Sequence, residues 1–477
     1  MTAYMYLTAV IIYLAALVVG GLVRATKVHT SDDFLVAGRS LPARVLVFTL
    51  LSTWIGAGSL FGGAGLGYRA GFPALWQSAG AWVGIALIYF IAPRVRRIAQ
   101  FTVPDLLELR YGPAARVLGT VTTVLAYATI AAYQFRGGGR LLGLIAGVDP
   151  RVGALVTAVF CITYTSLAGM LSIAYLDVGN GLVMVVGSIV AVVFLIAHAG
   201  GPLPAFDVLR PDQLEVFGTV EPQAAFALFF PTLFLLLGEA NMYQKFFSAR
   251  DEKAARWAVS GWIVGTILVE TLIVAIGVFG GTVLPGLDTG QSETIVIRVA
   301  LEVLPAGLGI VLLCGAAAIV VSTANSFLLT PATSLMRDVY QRFINPQATD
   351  RQVLVYTRLL VVAIGLIGYV ALSFFQTILE MALWAYTMYG AGVTPALLAA
   401  FVWPRATKLG GVLSILAGML TTLGWEIAGK LQAVDGAALY PLGLQTIYPA
   451  LTLSILTLVV VSLMTTPPTE QELEPLR

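Results

Sequence analysis

Charge is what this chain has least of. Only 11% of its 477 residues are Asp, Glu, Lys or Arg, less than half of what a soluble protein carries, while 58% are hydrophobic and the mean hydropathy is +0.89. A water-soluble globular chain is excluded, and the protein reads as an integral membrane protein. Cysteine is scarce too: Cys161 and Cys314 both lie in apolar runs, where a thiol behaves as a small hydrophobe, and they offer no disulfide framework. The two histidines, His29 in a linker and His198 in a loop, leave no His/Cys metal cluster. A net charge of +2 without a basic stripe excludes nucleic acid as a partner. There is no Gly-x-Ser-x-Gly elbow and no phosphate-cradling P-loop, so nothing points to an enzyme. No loop is long enough to fold as a separate soluble domain, which argues against a membrane sensor.

Long apolar runs are what is there. Thirteen stretches are long enough to cross about 30 Å of hydrocarbon, at 4–23, 45–67, 73–93, 117–147, 152–168, 178–197, 223–242, 257–282, 303–336, 353–374, 378–402, 409–428 and 446–465. The first lacks a basic n-region and a small-residue cleavage site and is followed by Arg24 and Lys27, so it reads as a retained helix rather than a signal peptide. With the N-terminus outside, the inner segments hold nineteen Lys and Arg and the outer ones five. This positive-inside bias places the C-terminus in the cytoplasm and the protein in the cell membrane. The expected organisation is a first helix and cytoplasmic linker over 1–44, a helical core over 45–402 with halves at 45–197 and 223–402, two flanking helices over 403–465, and a short cytoplasmic tail over 466–477.

Two polar interruptions break the apolar pattern: Ser52-Thr53-Trp54-Ile55-Gly56-Ala57-Gly58 in the second run and Ile319-Val320-Val321-Ser322-Thr323-Ala324-Asn325-Ser326 in the ninth. A glycine-loosened helix facing a hydroxyl-bearing one can hold a small dehydrated cation, because backbone carbonyls and Ser/Thr oxygens replace its water. The alternative for Ser322 and Thr323 is back-bonding to a carbonyl one turn earlier. Ser322, Asn325, Ser326, Thr330 and Thr333 recur at three- and four-residue steps and so line one face. Runs two to six and seven to eleven form two groups of five that begin on opposite sides of the membrane, the arithmetic of an inverted repeat. Such folds unwind the first helix of each half at the midplane. The candidate breaks are Gly56, Gly58, Gly62 and Gly63 in the second run and Gly238-Glu239-Ala240-Asn241 in the seventh. Close packing of small residues is the other reading of the glycines.

Together with Asp33-Phe34-Leu35-Val36-Ala37-Gly38-Arg39-Ser40, Gly169 to Asp177, Gln244-Lys245 and the run from Ser322 to Arg337-Asp338-Val339-Tyr340, these residues resemble the sodium:solute symporter family, which includes sodium-coupled sugar, proline, sialic acid and choline transporters. The resemblance implies an all-α membrane fold of about thirteen transmembrane helices, a five-plus-five inverted repeat of the leucine-transporter type with flanking helices. It implies Na+ as the coupled ion, held by the backbone carbonyls of Ser52, Ile55 and Ile319 and the hydroxyls of Ser322 and Thr323. Five oxygens without a carboxylate suit a monovalent ion. Asp177 stands where members with a second cation keep an aspartate, with Asn325 and Ser326 to face it. Leu176, Asn180 and Asn325 depart from that pattern, and a structural role at the cytoplasmic end of the sixth helix is the other reading.

Charged groups at membrane depth are costly and usually functional. Glu239 falls where relatives contact their solute, and a carboxylate there suits a cationic or amine-bearing solute, or a bound proton; a helix-terminal carboxylate on a backbone donor is the alternative. Arg136 can fork onto a solute carboxylate or form a structural ion pair. Glu270, midway along the eighth run, has no motif around it and reads as structural. Trp54, Trp76, Gln77 and Tyr133 can complete a pocket. A trimethylammonium cage needs several aromatic faces around one cation, and Ile130 and Glu239 stand where choline carriers have tryptophans. The expected function is a sodium-coupled symporter that imports a small organic solute by alternating access. That solute is cationic or amine-bearing, choline-like included, on the strength of Glu239, a zwitterion such as an amino acid or betaine-like compound if Glu239 and Arg136 both face the cavity, and otherwise a sugar or carboxylate. A proton-coupled carrier on the same fold, using Asp177 or Glu239, is the alternative. The partners are the solute, Na+ and membrane lipid; nothing in the sequence speaks to oligomeric state.

Overall fold

In hydrocarbon a backbone N–H or C=O has no water to turn to, so a chain of this composition must satisfy its amides within each segment, which means helix. The computed structural model describes residues 2–26, 30–98, 100–433 and 438–473; Lys27, His29 and the last four residues of the tail lie outside the described residues. Among the described residues ten helices are long and apolar enough to cross a membrane, and two bent pairs raise the number to twelve. The pairs are Ala43–Trp54 with Gly58–Ala70, bent by 56°, and Phe72–Ile88 with Ala92–Ile98, bent by 60°.

One of the ten helices, Pro150–His198, is 49 residues long, or about 74 Å at the α-helical rise, more than twice the hydrocarbon thickness. It is divided at Gly169, whose φ of +66° and ψ of 173° suit glycine alone. Read as two spans, it brings the total to thirteen. The segment 169–177, expected as a loop, is therefore helical apart from one residue, because a single glycine can reverse the local backbone without unravelling the turns on either side. A Cβ at position 169 would meet Phe34 Cδ2 at 2.5 Å, so the ring of Phe34 fills the notch that glycine leaves.

The ninth span, Ala306–Ser334, is the axis of the bundle. It packs along Pro150–His198 and the fourth span Pro113–Ala146, with Ala43–Trp54 of the second span against it. The seventh span, Pro222–Gly238 continued by Ala240–Ser248, packs on the third and on the eleventh, Ile378–Gly392. The twelfth and thirteenth, Lys408–Leu431 and Ile447–Met464, pair with each other beside the eleventh.

Polar groups tie both ends of the bundle. At the arginine-rich end the buried Arg116 is paired with Asp105, Glu108 and Asp338, and Arg342 reaches Glu108 at 2.8 Å. There the linker is stitched to the end of the seventh span, Leu41 N donating to Ser248 O at 3.0 Å and Arg250 N to Leu41 O at 2.9 Å. At the opposite end of the fourth span Arg140 pairs with Glu293, whose carboxylate also accepts from Ile378 N at 3.2 Å and Leu379 N at 3.1 Å. On that side a cavity of about 680 Å³ opens, lined among others by Arg69, Glu293, Trp384, Thr387, Glu426 and Thr446.

Candidate functional site

The second span stops being helical at Ile55, whose ψ of 101° is extended, and resumes at Ala57 into the wide turns of Gly58–Gly63. Glycines lower the cost of that interruption and allow close approach. A Cβ on Gly56 would lie 2.8 Å from Gln134 Nε2 and 3.0 Å from Thr323 Cγ2, and one on Gly58 would lie 2.9 Å from Tyr386 OH. The amide freed by the break does not go unpaired: Ala57 N donates to Gln134 Oε1 at 2.8 Å.

Across from this break stand the hydroxyls of the ninth span. Thr323 Oγ1 donates to the two freed carbonyls, Ser52 O at 3.2 Å and Ile55 O at 3.0 Å, rather than to its own helix. Thr123, Thr129 and Thr157, by contrast, back-bond to carbonyls four residues earlier, as membrane threonines commonly do. Ser322 Oγ donates to Asp177 Oδ1, Thr49 Oγ1 to Asp177 Oδ2 at 2.6 Å, and Ser52 Oγ to Asp177 O at 2.9 Å. Ile319 lies buried one turn before Thr323. Ser52, Ile55, Ser322 and Thr323 thus converge, and Asp177 joins them through Ser322.

The rest of the polar face of the ninth span is zipped to its neighbours. Asn325 Oδ1 accepts from Thr165 at 2.9 Å, Ser326 Oγ lies 3.0 Å from Thr53 Oγ1, and Thr330 Oγ1 donates to Gln244 Oε1 at 2.8 Å. Asn325 and Ser326 therefore bond to Thr165 and Thr53, not to Asp177, whose carboxylate is held by Thr49 and Ser322.

The seventh span breaks at Glu239, with ψ of 110° between two helices. Glu239 is buried, and its Oε1 has no hydrogen-bond partner; both polar atoms of Asn241 are likewise buried and unpartnered. Trp54, the last helical residue before the first break, stacks on Tyr386 with centroids 6.3 Å apart, and Tyr386 OH lies 3.2 Å from Tyr133 OH. Gln77 Oε1 is buried and unpartnered, near Gly63.

A model of the sodium:solute symporter family matches residues 34–418. The chain belongs to that family. Membership makes it a membrane transporter that couples solute movement to Na+, and not an enzyme. Among its relatives are the osmoregulated proline transporter OpuE of Bacillus subtilis, 25% identical over 96% of this chain and 94% of that one. Another is the sodium/pantothenate symporter of Escherichia coli, 27% identical over 90% and 89%. Among solved structures, a Na+-coupled sialic acid symporter in a substrate-bound outward-open state superposes with a TM-score of 0.80 at 17% identity, covering 98% of this chain and 99% of that one. A nucleobase-cation-symport-1 family transporter superposes with a TM-score of 0.57 at 12% identity, covering 93% and 97%. The fold is therefore the leucine-transporter type expected from the sequence.

Within this symporter the structure draws some of the expected solute residues together and separates others. Trp54 and Tyr133 meet through Tyr386. Trp76 does not join them: its Nε1 donates to Val216 O at 2.8 Å, and its ring stacks on Phe217 and meets Phe226, about 20 Å along the seventh span from Glu239 at the helical rise. Arg136 Nη2 is held on backbone, donating to Leu372 O and, at 2.8 Å, to Phe375 O, the turn that precedes the eleventh span, while its Nη1 is buried and unpartnered. Three participants carried no local sequence signal for this role. Gln134 seals the first break, Tyr386 bridges Trp54 and Tyr133, and Glu270 accepts from Trp54 Nε1 at 3.0 Å, Trp82 Nε1 at 2.9 Å and Ser59 Oγ at 3.4 Å.

Proposed function

We propose that this symporter imports a small amine-bearing or zwitterionic solute together with Na+, with the ion held by the carbonyls of Ser52, Ile55 and Ile319 and the hydroxyls of Ser322 and Thr323. The observation that carries the ion site is the fork of Thr323 Oγ1 onto both Ser52 O and Ile55 O, since the same oxygens turned toward a cation form a cage across two helices. A neutral cage binds weakly enough to release its ion inside the cell, while the membrane potential favours inward movement by about 2.3 kcal/mol per charge per 100 mV. The solute site lies between the two breaks, with Glu239, Trp54, Tyr133 and Gln77 around it. A buried carboxylate oxygen without a partner favours a ligand that brings a donor. With Arg136 held on backbone, the zwitterionic option rests on OpuE, a relative named for proline carriage, and proline is the first probe.

The arginine-rich end faces the cytoplasm in this reading, in keeping with the charge bias of the loops. Na+ arriving from outside ties the second span to the ninth and stabilises the arrangement that binds solute; by reciprocity solute raises the affinity for Na+ by the same factor. Separation of Ser322 and Thr323 from the second span then releases the ion inward.

Thermal stability of the purified protein across a sodium titration, with potassium as the replacing cation, tests the ion site. Wild type should show a saturable sodium-specific rise that Ser322→Ala/Thr323→Ala lacks. An undiminished rise in the double variant would remove the assignment. No rise in wild type would move the coupling to a proton on Asp177 or Glu239.

A further inference from the structure

Lys245 has no part in the site just described, yet among the described residues it is the only buried lysine, at 0% exposure. An ammonium enclosed in a membrane-spanning bundle is costly and calls for a function. It stands on the half-helix Ala240–Ser248, beyond the break at Glu239. Its Nζ donates to Thr49 O at 3.1 Å and to Thr53 Oγ1, one turn apart on the second span. Among the described residues it makes no direct ion pair; the carboxylates of Asp177 and Glu239 act on it through space.

Two hydrogen-bond paths lead from that ammonium to the ninth span. One crosses Thr49, whose carbonyl accepts from the ammonium and whose hydroxyl donates to the carboxylate of Asp177, which in turn accepts from Ser322; the other passes through the Thr53 hydroxyl to Ser326. They arrive on one face, a single turn apart, at the residues that frame the sodium cage. A cation reaching the cage thus meets a fixed positive charge one residue from Ser52 and a carboxylate one hydroxyl away. Two positive charges so near each other in a low-dielectric interior repel, and both are drawn to the same carboxylate.

We propose that Lys245 is the tethered counter-cation of the sodium site: its ammonium and Na+ compete to balance Asp177, so that sodium loads against the lysine and the lysine takes over the balance when sodium departs. This rests on the sodium site proposed above. It gives that neutral five-oxygen cage a means of release, because the replacement charge is already in place and covalently attached. A lysine that only fastened the second span to the seventh would need neither the short path to Asp177 nor a position beside the cage.

The test is the half-saturating sodium concentration of the full-length protein, read from thermal stability at constant ionic strength with potassium replacing sodium. Removing the charge in Lys245→Met should lower that concentration about tenfold, and keeping it in Lys245→Arg should leave it within about twofold. Asp177→Asn should raise it, and Lys245→Met/Asp177→Asn should bring it back toward wild type. A Lys245→Met protein that melts lower at every sodium concentration with the half-saturation unchanged would overturn the proposal. Should Lys245→Met not fold with Asp177 left unbalanced, the comparison of Asp177→Asn with the double variant decides, and equal half-saturation in those two overturns it as well. A sodium response that survives in Ser322→Ala/Thr323→Ala removes the site and this proposal together. A response lost there but unmoved by the Lys245 variants removes this proposal alone.

Discussion

A carboxylate that accepts from two indole N–H groups at once is an anchor, because each indole has a single donor and nowhere else in an apolar bundle to place it. Glu270 does this for Trp54 and Trp82 and also takes Ser59. It fixes the ring that stacks on Tyr386 beside the first break. Glu270→Ala should leave the buried Trp54 indole donor unpaired, at about 1–3 kcal/mol, and the half-buried Trp82 donor at less, whereas Glu270→Gln keeps an acceptor for one of them. Melting temperature should therefore fall in the order wild type, Glu270→Gln, Glu270→Ala, and tryptophan emission should change in the same order. An alanine variant as stable as wild type would show that the indoles find other acceptors. At this scale the sequence speaks where a role depends on near neighbours in the chain. Ser322 and Thr323 were legible because their helix carries a polar stripe at helical spacing. Glu270 is legible as structural but its partners are not, since they lie 216 and 188 residues away and a helical period says which way a side chain faces but not what it meets. The partners of Arg136 and Trp76 are hidden for the same reason: the sequence shows their chemistry, which leaves both a solute role and a structural one open for Arg136, and does not show their neighbours.

Helix breaks are where a polar backbone becomes available in a membrane, and three of those among the described residues differ in kind. The second span breaks where glycines cluster and a buried amide, Gln134, seals the freed N–H; the seventh breaks at a carboxylate; Pro150–His198 breaks at one glycine packed against Phe34. The first two were legible, because several helix-weakening or polar residues in a row stand out from an apolar background. The third is not, since a run of intermediate polarity does not reveal whether the chain leaves the helix for nine residues or for one. The difference matters for Asp177: a helix resuming at once after Gly169 carries that carboxylate inward to meet Thr49 and Ser322. Gly169→Ala combines a backbone strain of about 1–3 kcal/mol with a Cβ 2.5 Å from Phe34. It should reduce the yield of folded protein, and whatever folds should bind sodium more weakly through a displaced Asp177. Pairing it with Phe34→Ala relieves the clash but not the strain, so only part of the yield should return. A Gly169→Ala protein with normal yield and sodium response would mean that the break does not position the carboxylate.

The whole molecule is tied at both ends, and alternating access requires that the two ties not be equally strong at every stage. At one end Arg116 gathers three carboxylates from two segments; at the other Glu293 pairs with Arg140 and accepts two amides at the start of the eleventh span. Glu293→Gln weakens the second tie and leaves the first, so the population should shift toward a form open on the side of the 680 Å³ cavity. Arg116→Ala should shift it the other way, though with a larger loss of stability because three carboxylates are left without their cation. The shift can be read without knowing the solute. Thr387 lines that cavity next to Tyr386 and is itself buried, so a Thr387→Cys thiol, in a background with Cys161 and Cys314 replaced by Ala, becomes accessible only as that side opens. In intact cells a membrane-impermeant maleimide should modify it several-fold faster in the Glu293→Gln background and more slowly in the Arg116→Ala background, with sodium altering both rates. Modification from the cytoplasmic side alone would invert the proposed orientation. Rates indifferent to both substitutions would mean that the two charged clusters hold the fold together without governing which end is open.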